Sequence, residues 1–263
     1  MRTWVTVEAR RAWALALKNW LLPTYCRRCG DRLLTEDNGF FCPHCWTGAP
    51  WIEPPLCDRC GRPHYEMIGL GFAPDYYPCA ACRETPSRYI DRVFGAGVYA
   101  DVISDAVKLL KFGRRVKLAE TMGQAMAATL NRDGPGLAPD VVVPVPLYRT
   151  RYRERGFNQS ALLAEMLARR MGYPTPDTGG LTRIRPTRAQ SSIKDPAQRR
   201  ENIRGAFAVV DDRFRGRNVL LVDDVMTTGG TVEECARVLK RAGGARAVYV
   251  AVFALTLKGS RDL

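Results

Sequence analysis

Eight of the nine cysteines form four CxxC pairs in the first third of the chain. Two residues between cysteines permit a tight turn that directs both thiolates at one metal ion, and two such turns complete a tetrahedral site of four sulfurs. Grouped in sequence order, the pairs predict two structural Zn²⁺ sites, although crossed pairing between the groups also fits the sequence. The predicted ligands are Cys26, Cys29, Cys42 and Cys45, and then Cys57, Cys60, Cys79 and Cys82.

Disulfide bonds are the alternative use of these cysteines. The N-terminal stretch contains no unbroken apolar core of the kind an export signal needs, so a reducing cytoplasm is expected and zinc is favoured. Four sulfur ligands leave no open position for water, which favours a structural over a catalytic metal. His44 and His64, the only histidines, are expected not to be ligands, and Cys235 is expected to be a small core residue.

A second chemical motif follows Arg217, where a short apolar run predicts a buried parallel strand that ends in two adjacent carboxylates. Ligands of open α/β sheets bind at that end of the strands. The next residues would turn the chain into a helix with two glycines, and so present N–H groups and hydroxyls to a phosphate, while the carboxylates accept hydrogen bonds from sugar hydroxyls. The predicted ribose-phosphate residues are Asp223, Asp224, Thr227, Thr228, Gly229, Gly230 and Thr231.

Two other kinds of site also place acidic residues at the end of a strand. A Walker-B strand would need a GxxxxGK[ST] phosphate loop, which the sequence lacks. An acidic pocket of the response-regulator kind would not need the run TTGGT at 227–231. A phosphate-binding turn therefore agrees best with these residues.

The elements that must position this turn alternate as in an α/β domain. A mainly parallel sheet with helices on both faces is therefore expected. Strands are predicted over 93–99, 141–145, 218–222 and 247–253, and helices over 102–110, 118–130, 160–171 and from 232 to about 243.

Two basic segments interrupt or follow these elements. Residues 181–204 mix proline, serine and seven basic residues, which predicts one long flexible loop, either a lid over a ligand or a disordered connector. Arg149, Arg151, Arg153 and Arg155 alternate with other residues, so an extended backbone would place them on one side. Arg153 and Arg155 could equally face nucleic acid or structural acids.

The 263-residue chain carries a formal charge of +13, concentrated between Arg149 and Arg204, where thirteen Lys or Arg face five Asp or Glu. Such a concentration suits a strongly anionic ligand, or a solvated basic face. Residues 1–22 are predicted to form an amphipathic packing helix, because Arg10, Arg11 and Lys18 interrupt its apolar residues. No membrane insertion is expected.

The turn resembles the binding motif for 5-phosphoribosyl 1-pyrophosphate (PRPP) of type I phosphoribosyltransferases, two acidic residues before a Thr/Gly-rich loop. Together with the cysteine quartets, the chain resembles the ComF family of competence-associated proteins from Cys26 to Phe253. The other motifs that carry the resemblance are LKFG at 110–113, VPVP at 143–146, RGFNQ at 155–159 and RREN at 199–202. Their order makes the match specific.

The resemblance implies a Rossmann-like type I phosphoribosyltransferase fold over residues 91–263, with the flexible loop at 181–204, after a double zinc ribbon at 23–90. It also implies PRPP or a related ribose phosphate as ligand, Mg²⁺ as its companion, and a link to DNA uptake. Pyrophosphate would be bound after the strand at 141–145 and by the flexible loop. The candidate residues are Tyr148, Arg149, Arg151, Arg188, Lys194, Arg199 and Arg200.

Three functions remain open from the sequence. The first is displacement of pyrophosphate from ribose C1, for which no general base is evident. The second is non-catalytic binding of single-stranded DNA, for which basic charge and the aromatic residues Trp46, Trp51, Tyr76 and Tyr77 are suggestive. The third is docking of DNA-uptake proteins by the zinc module, with the α/β domain as a scaffold.

Overall fold

The computed structural model describes residues 20–21, 23–33, 39–64, 74–187 and 195–257. Almost all of the helix predicted over residues 1–22 lies outside them. Within the described part, no helix has the length and apolar character needed to cross a bilayer. In chain order, the elements are α1 (Pro43–Thr47), α2 (Ala80–Glu84), β1 (Arg92–Val98), α3 (Asp101–Lys111), α4 (Leu118–Asp133), β2 (Val141–Pro144), α5 (Arg149–Arg155), α6 (Gln159–Met171), β3 (Leu181–Arg183), α7 (Pro196–Ile203), β4 (Phe207–Val209), β5 (Asn218–Met226), α8 (Gly230–Arg241) and β6 (Ala247–Leu255).

The chain divides into two compact units, Met1–Ala49 and Pro50–Leu263. The division falls between the two cysteine clusters. The reason is hydrogen bonding to β1, because Ile52 N–H donates to the carbonyl of Ala96 (3.0 Å) and Val98 N–H donates to the carbonyl of Pro50 (2.8 Å). The second ribbon is therefore part of the larger unit.

A parallel four-stranded sheet in the order β1-β6-β5-β2 forms the centre of the larger unit. Its strands are rich in branched apolar residues and are buried on both faces, as a sheet covered by helices requires. Val222 of β5 pairs with Ala251 of β6 on one side and with Pro144 of β2 on the other. This confirms the predicted α/β fold.

The segment predicted as one loop over 181–204 contains regular structure at both ends. β3 pairs antiparallel with β4, with Leu181 opposite Val209, and α7 occupies the end of the segment. Buried Leu181 and Phe207 hold this small sheet, a tertiary contact that overrides the local proline and serine content. Residues 188–194 lie outside the described part.

The alternating arginines form a helix, so the extended backbone expected for them is wrong. α5 starts after extended Tyr148 and ends at Gly156, whose φ of 83° lets its N–H reach the carbonyl of Tyr152. Arg and Glu are good helix formers, which explains why this short segment is helical despite its alternating charges.

Candidate functional site

Each cysteine quartet forms its own cluster. The four Sγ atoms of Cys26, Cys29, Cys42 and Cys45 lie within 4.8 Å of one another, and so do those of Cys57, Cys60, Cys79 and Cys82. All eight are free thiols. The grouping follows sequence order, so crossed pairing is excluded and the two predicted zinc sites are confirmed as clusters.

The donor geometry of both clusters fits Zn²⁺. A Zn–S bond of about 2.3 Å in a tetrahedron separates the sulfurs by about 3.8 Å, and the Sγ atoms of Cys60 and Cys79 are 3.8 Å apart. Hydrogen bonding from Cys60 is the largest cause that holds the pKa of Cys57 at about 3. A thiolate is the form that a metal binds, so Cys57 is the ligand of this cluster that already favours that form.

The other residues of the zinc module have structural contacts. His64 stacks on Tyr77 with ring centres 3.8 Å apart and lies outside both clusters. Trp51 packs edge-on against Phe253, and the Tyr76 hydroxyl donates to Asp133. Trp51, Tyr76 and Tyr77 are therefore partly buried and engaged in contacts within the larger unit, which weakens the stacking role that the sequence suggested for these three residues. Cys235 is fully buried in α8, as expected.

The acid pair lies within the carboxyl-terminal half of β5, with both side chains buried. The Ser160 hydroxyl donates to Asp223 Oδ1 (2.8 Å), as does the N–H of Asp224 (2.9 Å). Ser160 belongs to the first turn of α6, and Asn158 is the N-cap of this helix. Helix α6 thus fixes the carboxylate of Asp223 through the hydrogen bond from Ser160.

The carboxylate of Asp224 forms an ion pair with a lysine side chain. Lys111, the last residue of α3, places Nζ 2.5 Å from Asp224 Oδ2. Gln159 lies between Asp224 and Arg155: its amide nitrogen is 3.5 Å from Asp224 Oδ1, and its carbonyl oxygen accepts from the Arg155 guanidinium (2.8 Å). Lys111, Gln159 and Ser160 were missed as site residues by the sequence analysis. The LKFG and RGFNQ motifs contain Lys111 and Gln159 and were the available signal.

The surroundings of Asp223 shift its proton affinity. Burial first, and repulsion from Asp224 second, raise the pKa of Asp223 to about 7, against the opposing effects of Lys111 and Ser160. Two adjacent carboxylates in a poorly solvated place disfavour double ionisation. Near neutral pH Asp223 is therefore only partly ionised.

The loop after β5 forms a cleft. Gly229 has φ +82° and precedes the first residue of α8, a left-handed position that glycine adopts without a steric penalty. The first N–H groups of a helix have no intrahelical partner and attract anions. A solvent-open cleft lies here, lined by Asp223, Val225, Met226, Thr227, Gly229, Gly230, Thr231 and Val232.

The predicted pyrophosphate residues are only partly brought to this edge. Tyr148, Arg149 and Arg151 follow β2, the strand next to β5, and Arg151 is paired with Glu154 (3.2 Å). The side chains of Arg199 and Arg200 are not described, and their backbone lies in α7. Arg188 and Lys194 fall outside the described residues.

Comparison with known proteins supports the two predicted parts of the chain, a zinc module and an α/β domain. Residues 17–83 match the double zinc ribbon domain and residues 157–262 the phosphoribosyl transferase domain. The chain is 35% identical to DNA utilization protein YhgH of Escherichia coli K12, over 90% of this chain and 99% of that protein. It is 30% identical to competence protein F of Haemophilus influenzae (78% and 92%) and 27% identical to competence protein ComFC of Bacillus subtilis (79% and 80%). The chain belongs to the ComF family, with a double zinc ribbon and a phosphoribosyltransferase domain.

Proposed function

We propose that the protein binds PRPP or a similar ribose 5-phosphate at the carboxyl end of β5, in support of DNA uptake. The observation that carries the proposal is the continuity of a buried acid pair with a glycine-containing turn at the start of α8. The acid pair suits the ribose hydroxyls and the turn suits the 5-phosphate, so one segment would hold both ends of the ligand.

Mg²⁺ would be bound mainly by the ligand's own phosphates. Lys111 already balances Asp224, and the raised pKa of Asp223 limits its charge, so the acid pair fits contact with the ion through water better than direct ligation. When bound, Mg²⁺ would neutralise the charge of the pyrophosphate. Free thiols in both clusters suit a reducing compartment, so we place the protein in the cytoplasm.

Calorimetric titration of PRPP with Mg²⁺ tests the proposal. We expect saturable binding by the wild type and at least tenfold weaker binding by the double variant Asp223→Asn, Asp224→Asn. The matched control is Asp211→Asn, Asp212→Asn, because these adjacent acids are exposed and belong to the same domain. Absence of binding by the wild type would refute the proposal. Equal binding by both double variants would show that the ligand binds at a site without Asp223 and Asp224.

A second candidate function, binding of single-stranded DNA, is supported by the basic surface around Phe112 and Tyr152. These side chains are 71% and 52% exposed, Arg155 lies over the Phe112 ring at 5.5 Å, and Arg114 donates to the carbonyl of Glu154 (2.9 Å). Exposed aromatic rings among arginines are the usual features of single-strand binding. The basic residues of the two segments that contain these rings, 112–117 and 149–155, are Arg114, Arg115, Lys117, Arg149, Arg151, Arg153 and Arg155.

Fluorescence anisotropy of a labelled oligonucleotide in a salt series tests this candidate. Affinity should fall linearly with the logarithm of salt concentration, and Phe112→Ala with Tyr152→Ala should weaken binding by about 1 kcal/mol or more per ring. The control is Tyr25→Ala, another exposed tyrosine, in the first unit. Unchanged affinity in the double variant would exclude this surface.

A further inference from the structure

Arg62 directly follows the turn that holds two of the ligands of the second zinc cluster. The N–H of Cys57 donates to the carbonyl of Arg62 (2.8 Å), and the N–H of Gly61 donates to the carbonyl of Cys57 (3.0 Å). Cys60 N–H approaches Cys57 Sγ at 3.5 Å. The conformation that brings Cys57 and Cys60 to one metal therefore also fixes the backbone of Arg62.

This turn is seated on the first strand of the sheet. Val93 N–H donates to the carbonyl of Arg59 (2.8 Å). A Cβ atom on Gly61 would lie 2.6 Å from the carbonyl oxygen of Val93, at a φ of +68°, so only glycine permits this approach. The turn consequently has a fixed position relative to β1 and the rest of the larger unit.

A second set of contacts secures the ribbon from another side. Arg132 of α4 forms two hydrogen bonds with Asp133 (2.6 and 2.8 Å) and also donates to the carbonyl of Ile52 (2.7 Å). The Tyr76 hydroxyl donates to the same Asp133 side chain (3.0 Å). Networks of this kind with charged members are stronger than neutral hydrogen bonds. The ribbon is thus held by both β1 and α4.

From this fixed position, the side chain of Arg62 reaches the phosphate loop. Its Nη2 lies 3.5 Å from the carbonyl oxygen of Thr227, the first residue of the loop. The carbonyl of Met226, the residue before Thr227, accepts a hydrogen bond from the N–H of Thr256 (3.0 Å). The successive carbonyls of Met226 and Thr227 are therefore both contacted by residues outside the loop.

Two polar atoms beside these contacts are buried without a hydrogen-bond partner among the described residues, Arg62 Nε and Thr256 Oγ1. Buried polar atoms without partners are uncommon in native structures, and each needs an explanation. A guanidinium charge next to a loop that presents N–H groups adds to the attraction for an anion. Both atoms flank Met226 and Thr227, which line the cleft.

We propose that Arg62 is a positioning residue for ribose-phosphate binding, supplied by the second zinc ribbon to the phosphate loop. It holds the Thr227 carbonyl, so that the following N–H groups face the 5-phosphate. Metal binding at Cys57, Cys60, Cys79 and Cys82 and ligand binding at the loop are then thermodynamically linked, each favouring the other. The inference rests on the proposed function.

Calorimetric titration of ribose 5-phosphate is the first test. Arg62→Gln should bind about five- to tenfold more weakly than the wild type, since a lost contact of a charged donor costs about 1 kcal/mol or more. Arg62→Lys, which keeps the charge, should restore part of the loss. Arg59→Gln is the control, because Arg59 belongs to the same turn and has an exposed side chain. Its affinity should stay within twofold of the wild type.

Hydrogen exchange without ligand is the second test. Mass spectrometry should show faster exchange over residues 227–231 in Arg62→Gln than in Arg59→Gln, with two zinc ions per chain in both. If Arg62→Gln loses zinc, Arg62→Lys takes its place in both tests. Wild-type affinity and wild-type exchange in the variant would overturn the inference and leave the proposed function intact. No binding of ribose 5-phosphate by the wild type would overturn both.

Discussion

Lys111 Nζ lies 2.5 Å from Asp224 Oδ2, a contact between the end of α3 and the carboxyl-terminal half of β5. The lysine side chain is 21% exposed and the aspartate side chain 4%. Burial of a charged side chain to this extent is unfavourable unless an opposite charge is paired with it. The ion pair therefore stabilises a buried carboxylate at the edge of the sheet where we propose that the ligand binds.

Removing the lysine should leave that carboxylate unpaired. We expect Lys111→Met to lower the free energy of unfolding by about 2–3 kcal/mol, somewhat less than for fully buried pairs because Lys111 retains solvent contact. Urea unfolding at pH 7 measures it. In the double variant Lys111→Met, Asp224→Asn, most of the loss should disappear. Additive losses would mean that the two side chains do not interact energetically.

The raised pKa of Asp223 predicts a pH dependence of stability. Because the folded-state value of about 7 exceeds the unfolded value of 3.8, the protonated form favours folding. This contribution is complete below about pH 4 and is lost as the pH rises through 7. Asp223→Asn mimics the protonated form, so its stability advantage over the wild type should grow from pH 4 to pH 8.

One pKa unit corresponds to about 1.36 kcal/mol, so this advantage can reach about 4 kcal/mol at pH 8. Urea unfolding of wild type and variant across this pH range measures the difference. Exposed Asp212→Asn is the control, and its difference from the wild type should not vary with pH in the same direction. A constant difference for Asp223→Asn would contradict the shifted pKa.

The variant Gly229→Ala tests whether the turn contributes to ligand binding as well as to stability. Alanine in a left-handed conformation costs about 1 kcal/mol. Gly172, the C-cap of α6, has φ +68° and open space around its Cα, so Gly172→Ala should cost the same stability. Only Gly229→Ala should also weaken ribose 5-phosphate binding, by about tenfold. Equal affinities of the two variants in calorimetry would argue against the turn as the phosphate site.

Zinc analysis should distinguish the two clusters. We expect two zinc ions per chain in the wild type and one in each of Cys29→Ser and Cys60→Ser, measured by plasma mass spectrometry. Cys60 belongs to the larger unit, so Cys60→Ser should lower the unfolding temperature of Pro50–Leu263, while Cys29→Ser should leave it nearly unchanged. Loss of both ions from one substitution would contradict independent sites.

The strands were predictable because their sequence carries the signal itself. Residues such as Val219 to Val222 are apolar and branched without interruption, which specifies a strand buried on both faces. The cysteine clusters were predictable for a similar reason, since CxxC spacing encodes the turn. In these cases, local sequence and tertiary environment agree.

The support of the acid pair was not predictable from spacing alone. Lys111 and Asp224 meet because α3 ends at the same edge of the sheet as β5, a relationship between elements far apart in sequence. The contact of Arg62 with Thr227 depends likewise on how the second ribbon packs on β1. The small β3–β4 sheet was missed because buried partners, and not local composition, stabilise it.

The strand order has a consequence for synthesis on the ribosome. β6 lies between β1 and β5, and β1 pairs with no other strand among the described residues. At about 5–20 residues per second, the nascent chain carries β1 without its strand partner for roughly 8 to 30 s before β6 is made. The segment that precedes β1 hydrogen-bonds to this strand through the N–H of Ile52 and the carbonyl of Pro50, and these contacts can form as soon as β1 has been made.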